Sequence, residues 1–177
     1  IRNIDVKYLQ GHLVEIGHLP DNVLSDVDSQ PLPGARVARA VQELTECRGA
    51  SVVLTHAEQS LPWLIGAYTK AVGDAELTYA KTLAVLGDNT GVDRLIAEVQ
   101  KAEAWDKGWN YRGMGQFGRA LSRLDVIICC MGRTRDSRCL PAILDKLELL
   151  DATSEFSHHR AVWLALEQIG DPAAAAP

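Results

Sequence analysis

The sequence lacks the features that mark several large classes of protein. No apolar run approaches the ~18 residues of a membrane helix, and no basic-then-apolar leader marks a signal peptide. The net charge of −5 argues against a general binder of polyanions. Gly113-Met114-Gly115 has neither a preceding strand nor a following Lys-Ser/Thr, which excludes a phosphate-binding loop. We therefore expect no membrane partner, and the compartment stays unknown with the cytoplasm slightly favoured.

The four cysteines fit neither a zinc site nor a disulfide framework. None forms a Cys-x-x-Cys pair, and Cys129 and Cys130 are neighbours that point about 100° apart on a helix. We expect reduced, buried thiols that act as small apolar side chains.

One template occurs three times, and it predicts the fold. Its copies are Leu83-x-x-Leu86-x-Asp88, Met131-x-x-Thr134-x-Asp136 and Leu166-x-x-Ile169-x-Asp171. A bulky apolar residue precedes each copy by four positions, and a second apolar run follows the first two. A helix, a turn that carries Asp and a second helix, repeated along a chain, indicate an α-solenoid. We expect an all-α, right-handed solenoid of antiparallel helix pairs.

The pattern divides the chain into a leading part and a repeat domain. Residues 1–34 contain an amphipathic helix over residues 5–16 and a linker rich in proline and glycine. Residues 35–177 form the repeat domain, with a degenerate first repeat in which Pro62 matches Pro141 in the first turn of a second helix. The start at Ile1 and the stop after an Asp-Pro turn predict a piece excised from a longer protein.

The repeated aspartates have a structural explanation. Asp88, Asp136 and Asp171 each precede a helix, where a carboxylate caps exposed N–H groups. We predict that they are turn caps and assign no catalytic residue. The neighbours His158 and His159 diverge on a helix and show no ligand spacing, which favours a structural or surface role over a metal site.

Residues 104–119 interrupt the repeat and form a predicted inserted loop. This segment holds four glycines and four aromatic residues in an order that fits neither a helix nor a strand. One interpretation is a docking surface for a partner, because long loops on rigid scaffolds often carry binding. The other is a plug that buries its own tryptophans. The candidate contact residues are Trp105, Trp109, Tyr111, Arg112 and Phe117.

The basic residues are concentrated between positions 107 and 138. This stretch has seven basic and two acidic residues, net +5, which leaves −10 for the rest of the chain. It is either a contact surface or a solvated rim, and we favour the rim.

Three segments resemble one family. Residues 105–119 (WDKGWNYRGMGQFGR) and Ser157-His158-His159-Arg160-Ala161 resemble the C-terminal region of large bacterial FAD-dependent oxidoreductases that carry HEAT (phycobilisome-lyase-like, armadillo-like) repeats. Residues 5–18 resemble the connecting helix that follows the flavin-binding body in such proteins. The resemblance implies a helical appendage and a parent protein that would hold FAD. The G-x-G-x-x-G motif for FAD is missing here, so we expect no cofactor and no metal in this chain. The usual glycine before the repeated Asp is replaced by Arg135, and we expect that turn to differ from the others.

These observations lead to a functional hypothesis with two alternatives. The chain is expected to be a non-catalytic scaffold that contacts the flavin domain of its parent or another protein. The first alternative is a subunit of a phycobilin lyase, because those enzymes use similar repeats. The second is a HEAT-like nucleic-acid-binding protein, which the basic segment favours and the overall acidity opposes.

Overall fold

The computed structural model describes residues 32–106 and 122–175. Within these ranges all regular structure is helical and no strand occurs, which confirms the all-α prediction. The predicted helix over residues 5–16 lies outside the described residues. The chain divides into two compact units, residues 1–71 and residues 72–177. The predicted boundary between residues 34 and 35 stays a prediction.

The described part of the first unit is a small group of three helices. They are α1 (Gly34–Glu43), α2 (Ala50–Thr55) and α3 (Ala57–Tyr68), and a 3₁₀ turn, Leu44–Glu46, follows α1. α1 contacts both α2 and α3, and the apolar residues between them are fully buried: Val37, Val41, Val53 and Leu64. Gly49 has φ +78°, and a Cβ there would collide with the carbonyl oxygen of Ala40. Only glycine therefore fits this turn.

The expected position of Pro62 in the first turn of a helix is wrong. Pro62 is the sixth residue of α3, whereas Pro141 is in the first turn of its helix. A proline at an interior position removes one helical hydrogen bond. The two prolines match in sequence and differ in place within the helix.

The second unit contains five helices in its described part. They are α4 (Gly73–Val85), α5 (Val92–Lys101), α6 (Arg123–Thr134), α7 (Leu140–Leu147) and α8 (Phe156–Ile169). Two 3₁₀ turns, Ser137–Cys139 and Pro172–Ala175, complete it. α6 packs against both α4 and α8, and α5 packs against α7. None of the helices described in the chain combines the length and apolarity needed to cross a bilayer.

The apolar template residues build the core of this unit. Leu83, Ile127, Met131 and Val162 are buried, because the i, i+4 spacing places them on one helix face. Leu166 is only half-buried. The third copy of the template therefore contributes less to the core than the first two.

Two glycine contacts bring neighbouring helices close together. A Cβ on Gly132 of α6 would lie 2.6 Å from the Cα of Ala165 in α8, and one on Gly91 would lie 2.7 Å from the Cα of Ala80 in α4. Real Cβ atoms do not approach this closely, so a side chain at either position would push the helices apart.

The expectation that Arg135 makes its turn differ from the others is wrong. Gly87, Arg135 and Gly170 have φ values of +78°, +55° and +66°, so all three turns pass through the left-handed region. Arg135 adopts the conformation of the glycines although its Cβ disfavours it. The left-handed turn thus occurs in all three copies of the repeat, whether the residue is glycine or arginine.

Candidate functional site

The three repeated aspartates make the same hydrogen bond. Oδ1 of Asp88 accepts from the backbone N–H of Thr90 at 2.8 Å, and Asp171 does so from Ala173 at 2.9 Å. Asp136 accepts from the N–H of Arg138 at 3.0 Å, and the Arg138 guanidinium lowers the pKa of this carboxyl. Each carboxylate thus satisfies an N–H group that the turn leaves without a backbone partner.

Trp105 is the one member of the predicted contact set within the described residues. Its indole stacks on the ring of His158, with the ring centroids 4.6 Å apart and the planes inclined by 26°. Its Nε1–H donates to the carbonyl oxygen of Lys146 at 3.3 Å. Trp105 is half-buried by these contacts, so at least this residue of the segment packs within its own unit. Trp109, Tyr111, Arg112 and Phe117 lie outside the described residues.

A buried Asp–His pair lies beneath Trp105. Nδ1 of His158 is 2.8 Å from Oδ1 of Asp125, and Asp125 is 0% exposed. An ionised carboxylate only accepts hydrogen bonds, so Nδ1 carries the proton when Asp125 is ionised. Oδ2 of Asp125 has no hydrogen-bond partner among the described residues.

Sequence reasoning missed this pair. Ser122 and Asp125 have the spacing of a capping box in the first turn of α6. The N-cap half of that pattern exists, since Ser122 Oγ accepts from the N–H of Asp125 at 2.9 Å. The carboxylate of Asp125 instead reaches His158, 33 residues away. In the sequence, the one signal for burial of the Asp125 side chain is its apolar neighbours, Leu124 and Ile128.

Asp106 joins the two described ends that flank residues 107–121. Its carboxylate oxygens accept from the backbone N–H groups of Arg123 at 2.6 Å and Leu124 at 3.0 Å, at the N-terminus of α6. A negative charge is favourable there, because free N–H groups and the helix dipole attract it. The Arg123 guanidinium continues the link to Glu98 of α5 at 2.6 Å.

A cavity of about 270 Å³ opens beside this link. Two acidic and two basic side chains line it together with small and apolar residues: Glu98, Lys101, Ala102, Ala104, Asp106, Arg123, Leu124 and Ile127. Arg123 and Lys101 both pair with Glu98, the latter at 3.8 Å. The charges of the cavity thus largely satisfy one another.

Lys146 is a buried cation that completes the surroundings of Trp105. Its Nζ donates to the carbonyl oxygen of Ala102 at 2.7 Å, which ties α7 to the residues that follow α5. Together with the stacked ring pair, this bond fixes residues 102–105 against α7 and α8. The chemistry of the cluster is that of a structural clamp.

Cys130 and Cys139 are buried as predicted, whereas Cys129 is only half-buried. Burial raises the pKa of Cys130 to about 12 and that of Cys139 to about 11, so both remain protonated at neutral pH. Burial also raises the pKa of Cys129. Cys47 is exposed, and the prediction of a buried thiol is wrong for it. Its left-handed backbone, with φ +57°, turns the chain at the surface.

No group of three or more His, Cys, Asp or Glu side chains within residues 32–106 and 122–175 is placed to hold a metal ion. Comparisons with protein families, with curated proteins and with solved structures found no match to this chain.

Proposed function

We propose that the chain is a non-catalytic α-solenoid scaffold that mediates protein contacts. The observation that supports it is the order of helix contacts in the second unit. The first helices of successive repeats, α4, α6 and α8, pack one on the next, and the second helices α5 and α7 pack on each other. This two-layer order is typical of repeat arrays, in which each unit buries its apolar stripe against its neighbours.

The proposal includes a larger parent protein with a flavin domain. Its support is the resemblance of residues 105–119 and of the Ser157–Ala161 stretch to helical appendages of FAD-dependent oxidoreductases. The scaffold would contact the flavin domain through residues 104–119, which Trp105 anchors to α7 and α8. An anchored base suits a docking loop, because it lowers the entropy lost on binding.

Binding to the flavin domain tests this proposal. The triple substitution Trp109→Ala, Tyr111→Ala and Arg112→Ala removes aromatic and arginine anchors, and we expect the affinity to fall roughly 30-fold or more. Trp63→Ala is the matched control, since Trp63 is a half-exposed tryptophan of the first unit. Calorimetric titration measures both. Equal affinities for the triple variant and the unaltered chain would contradict the docking role.

A titration with FAD tests the non-catalytic part of the proposal. We expect no stoichiometric yellow complex, because the residues that would hold the dinucleotide belong to the flavin domain. A saturable 1:1 change in absorbance near the flavin maximum would refute it. The same titration with a bilin separates the proposal from a lyase function.

The paired arginines favour a protein partner over nucleic acid. Arg123 pairs with Glu98, and Arg138 pairs with Asp93 and Asp136. Cations already paired with carboxylates release fewer counterions on binding a phosphate backbone. We therefore expect no salt-dependent shift of duplex DNA at micromolar protein.

A further inference from the structure

The outer face of α8 carries an exposed aromatic stripe. Phe156 is 78% exposed and Trp163 is 67% exposed, and both lie on one face of the helix at i, i+7 spacing. The opposite face is buried through His158, Ala161, Val162 and Ala165. Large aromatic side chains in such a row are costly to leave in water and are typical of interface anchors.

Charged residues complete the stripe in a definite order. The exposed positions run Phe156, Arg160, Trp163, Glu167 and Gly170, at successive steps of four and three residues. Neither Arg160 nor Glu167 forms an ion pair with another described residue. They are seven residues apart, about 10.5 Å along the helix, and cannot pair with each other.

The charges along this stripe are complementary to those of a second copy of α8 that runs in the opposite direction. In an antiparallel pair of α8 helices with a two-fold axis between residues 163 and 164, Arg160 of one copy faces Glu167 of the other. The same contact occurs twice, on either side of the axis, where the two Trp163 side chains meet. Opposite charges at both flanks and aromatic residues at the centre are the arrangement of an isologous interface.

Gly170 supplies the space that the reversed stripe requires. In this register Phe156 of one copy lies opposite residues 170 and 171 of the other. Gly170 has no side chain, and a Cβ built there would meet only the carbonyl oxygen of Glu167, at 3.8 Å. The ring of Phe156 can therefore lie over the end of the facing helix.

We propose that the outer face of α8 is a homodimer interface, occupied by the same face of a second copy of this chain. The charge complementarity of Arg160 and Glu167 selects the antiparallel orientation. Four aromatic side chains, at roughly 150–250 Å² each, cover about half of a standard interface. We therefore expect a weak, reversible dimer. This inference goes beyond the scaffold proposal and uses a different surface from residues 104–119.

Sedimentation velocity of the whole chain over a range of concentrations is the first measurement. We expect a reversible monomer–dimer equilibrium, weakened roughly 30-fold by Trp163→Ser because the interface loses two central anchors. Trp63→Ser is the matched control and leaves the equilibrium unchanged. Circular dichroism checks that both variants are folded. A chain that stays monomeric up to millimolar concentration overturns the proposal.

Charge exchange tests the orientation. Arg160→Glu places like charges opposite each other twice in its homodimer, and so does Glu167→Arg; each should weaken self-association by roughly tenfold. An equimolar mixture of the two variants restores both ion pairs in a heterodimer, as does the double variant in its own homodimer. Parallel pairing places residue 160 opposite residue 160 and residue 167 opposite residue 167, with like charges before and after either substitution, so it predicts that neither single variant weakens self-association. A contact elsewhere predicts the same, and that result overturns the proposed interface. Neither result depends on binding to a flavin domain.

Discussion

Arg135 has a left-handed backbone, with φ +55°, at a turn where the equivalent residues are glycines. An L side chain in this region costs roughly 1–2 kcal/mol, of which the greater freedom of glycine in the unfolded chain offsets roughly 0.5–1 kcal/mol. Its side chain is exposed. We therefore expect Arg135→Gly to raise the free energy of unfolding by up to about 1 kcal/mol, measured from urea midpoints. Gly87→Ala, at the equivalent turn, is the control and should lower it by a similar amount.

Substitutions of Asp125 and His158 should have strongly non-additive effects on the free energy of unfolding. His158→Leu leaves a carboxylate buried without a partner and should cost about 3–5 kcal/mol. Asp125→Asn keeps an acceptor oxygen for Nδ1–H and should cost roughly 1 kcal/mol. The double variant Asp125→Ala, His158→Leu should be more stable than His158→Leu alone. Urea unfolding of the unaltered chain, Asp125→Ala, His158→Leu and their double variant gives the coupling free energy. A double variant less stable than His158→Leu would contradict this account.

At the residue scale the sequence predicts local geometry and misses long-range pairing. The positions of Asp88, Asp136 and Asp171 follow from the repeat, since a turn before a helix leaves N–H groups that need an acceptor. The pairing of Asp125 with His158 depends on how α6 lies against α8. No local pattern contains that relation.

At the scale of the helix, Gly132 allows α6 to lie close to α8. Gly132→Ala places a methyl group 2.6 Å from the Cα of Ala165, and backbone atoms cannot give way cheaply. We expect a net loss of about 1–2 kcal/mol, because overpacking outweighs the better helix propensity of alanine. Gly66→Ala in α3 is the control. Nothing lies within 4 Å of its Cβ position, so the thermal midpoint should rise for this variant and fall for Gly132→Ala.

The link between α5 and α6 gives a pH dependence. The hydrogen bond from Arg94 lowers the pKa of Glu98 below its ordinary value of 4.5, and the charges of Arg94, Arg123 and Lys101 act in the same direction. A carboxyl with a lowered pKa stabilises the fold fully above its unfolded pKa, and that stability is lost as the pH falls through its folded pKa.

Glu98→Gln should therefore lower stability at pH 7 and flatten the decline of stability below pH 4.5. Chemical unfolding at a series of pH values measures this. Glu148→Gln, at an exposed glutamate after α7, is the control and should leave the acid limb of the profile unchanged. If the free energy of unfolding of Glu98→Gln declined at acid pH as steeply as that of the unaltered chain, the role of this link would be contradicted.

The template predicts a helix before each repeated Asp, and α4, α6 and α8 lie there, because the apolar spacing is regular in this unit. Pro62 shows where this fails. Its sequence match with Pro141 predicts the start of a helix, but α3 begins at Ala57, and packing of Leu64 against α1 fixes the helix. The tertiary contact outweighs the local preference of proline.

At the scale of the whole second unit, stability should spread through neighbouring helices. Ile127 of α6 is buried, and α6 contacts α4, α5 and α8. Ile127→Ala should cost about 2–5 kcal/mol and lower hydrogen-exchange protection in those three helices as well as in α6. Leu166→Ala, at a half-buried position of α8, is the control and should affect α8 most. If hydrogen-exchange protection fell in α6 alone, the idea that neighbouring helices stabilise one another would be contradicted.

The different surroundings of the four cysteines have a practical consequence. Burial, complete for Cys130 and Cys139 and partial for Cys129, raises the pKa of three thiols, and Cys47 is the one cysteine that is exposed. A maleimide dye at neutral pH should therefore modify one position per chain without mutagenesis. The native chain is thus ready for single-site labelling, and a fluorophore at Cys47 would report on the first unit in energy-transfer or single-molecule measurements.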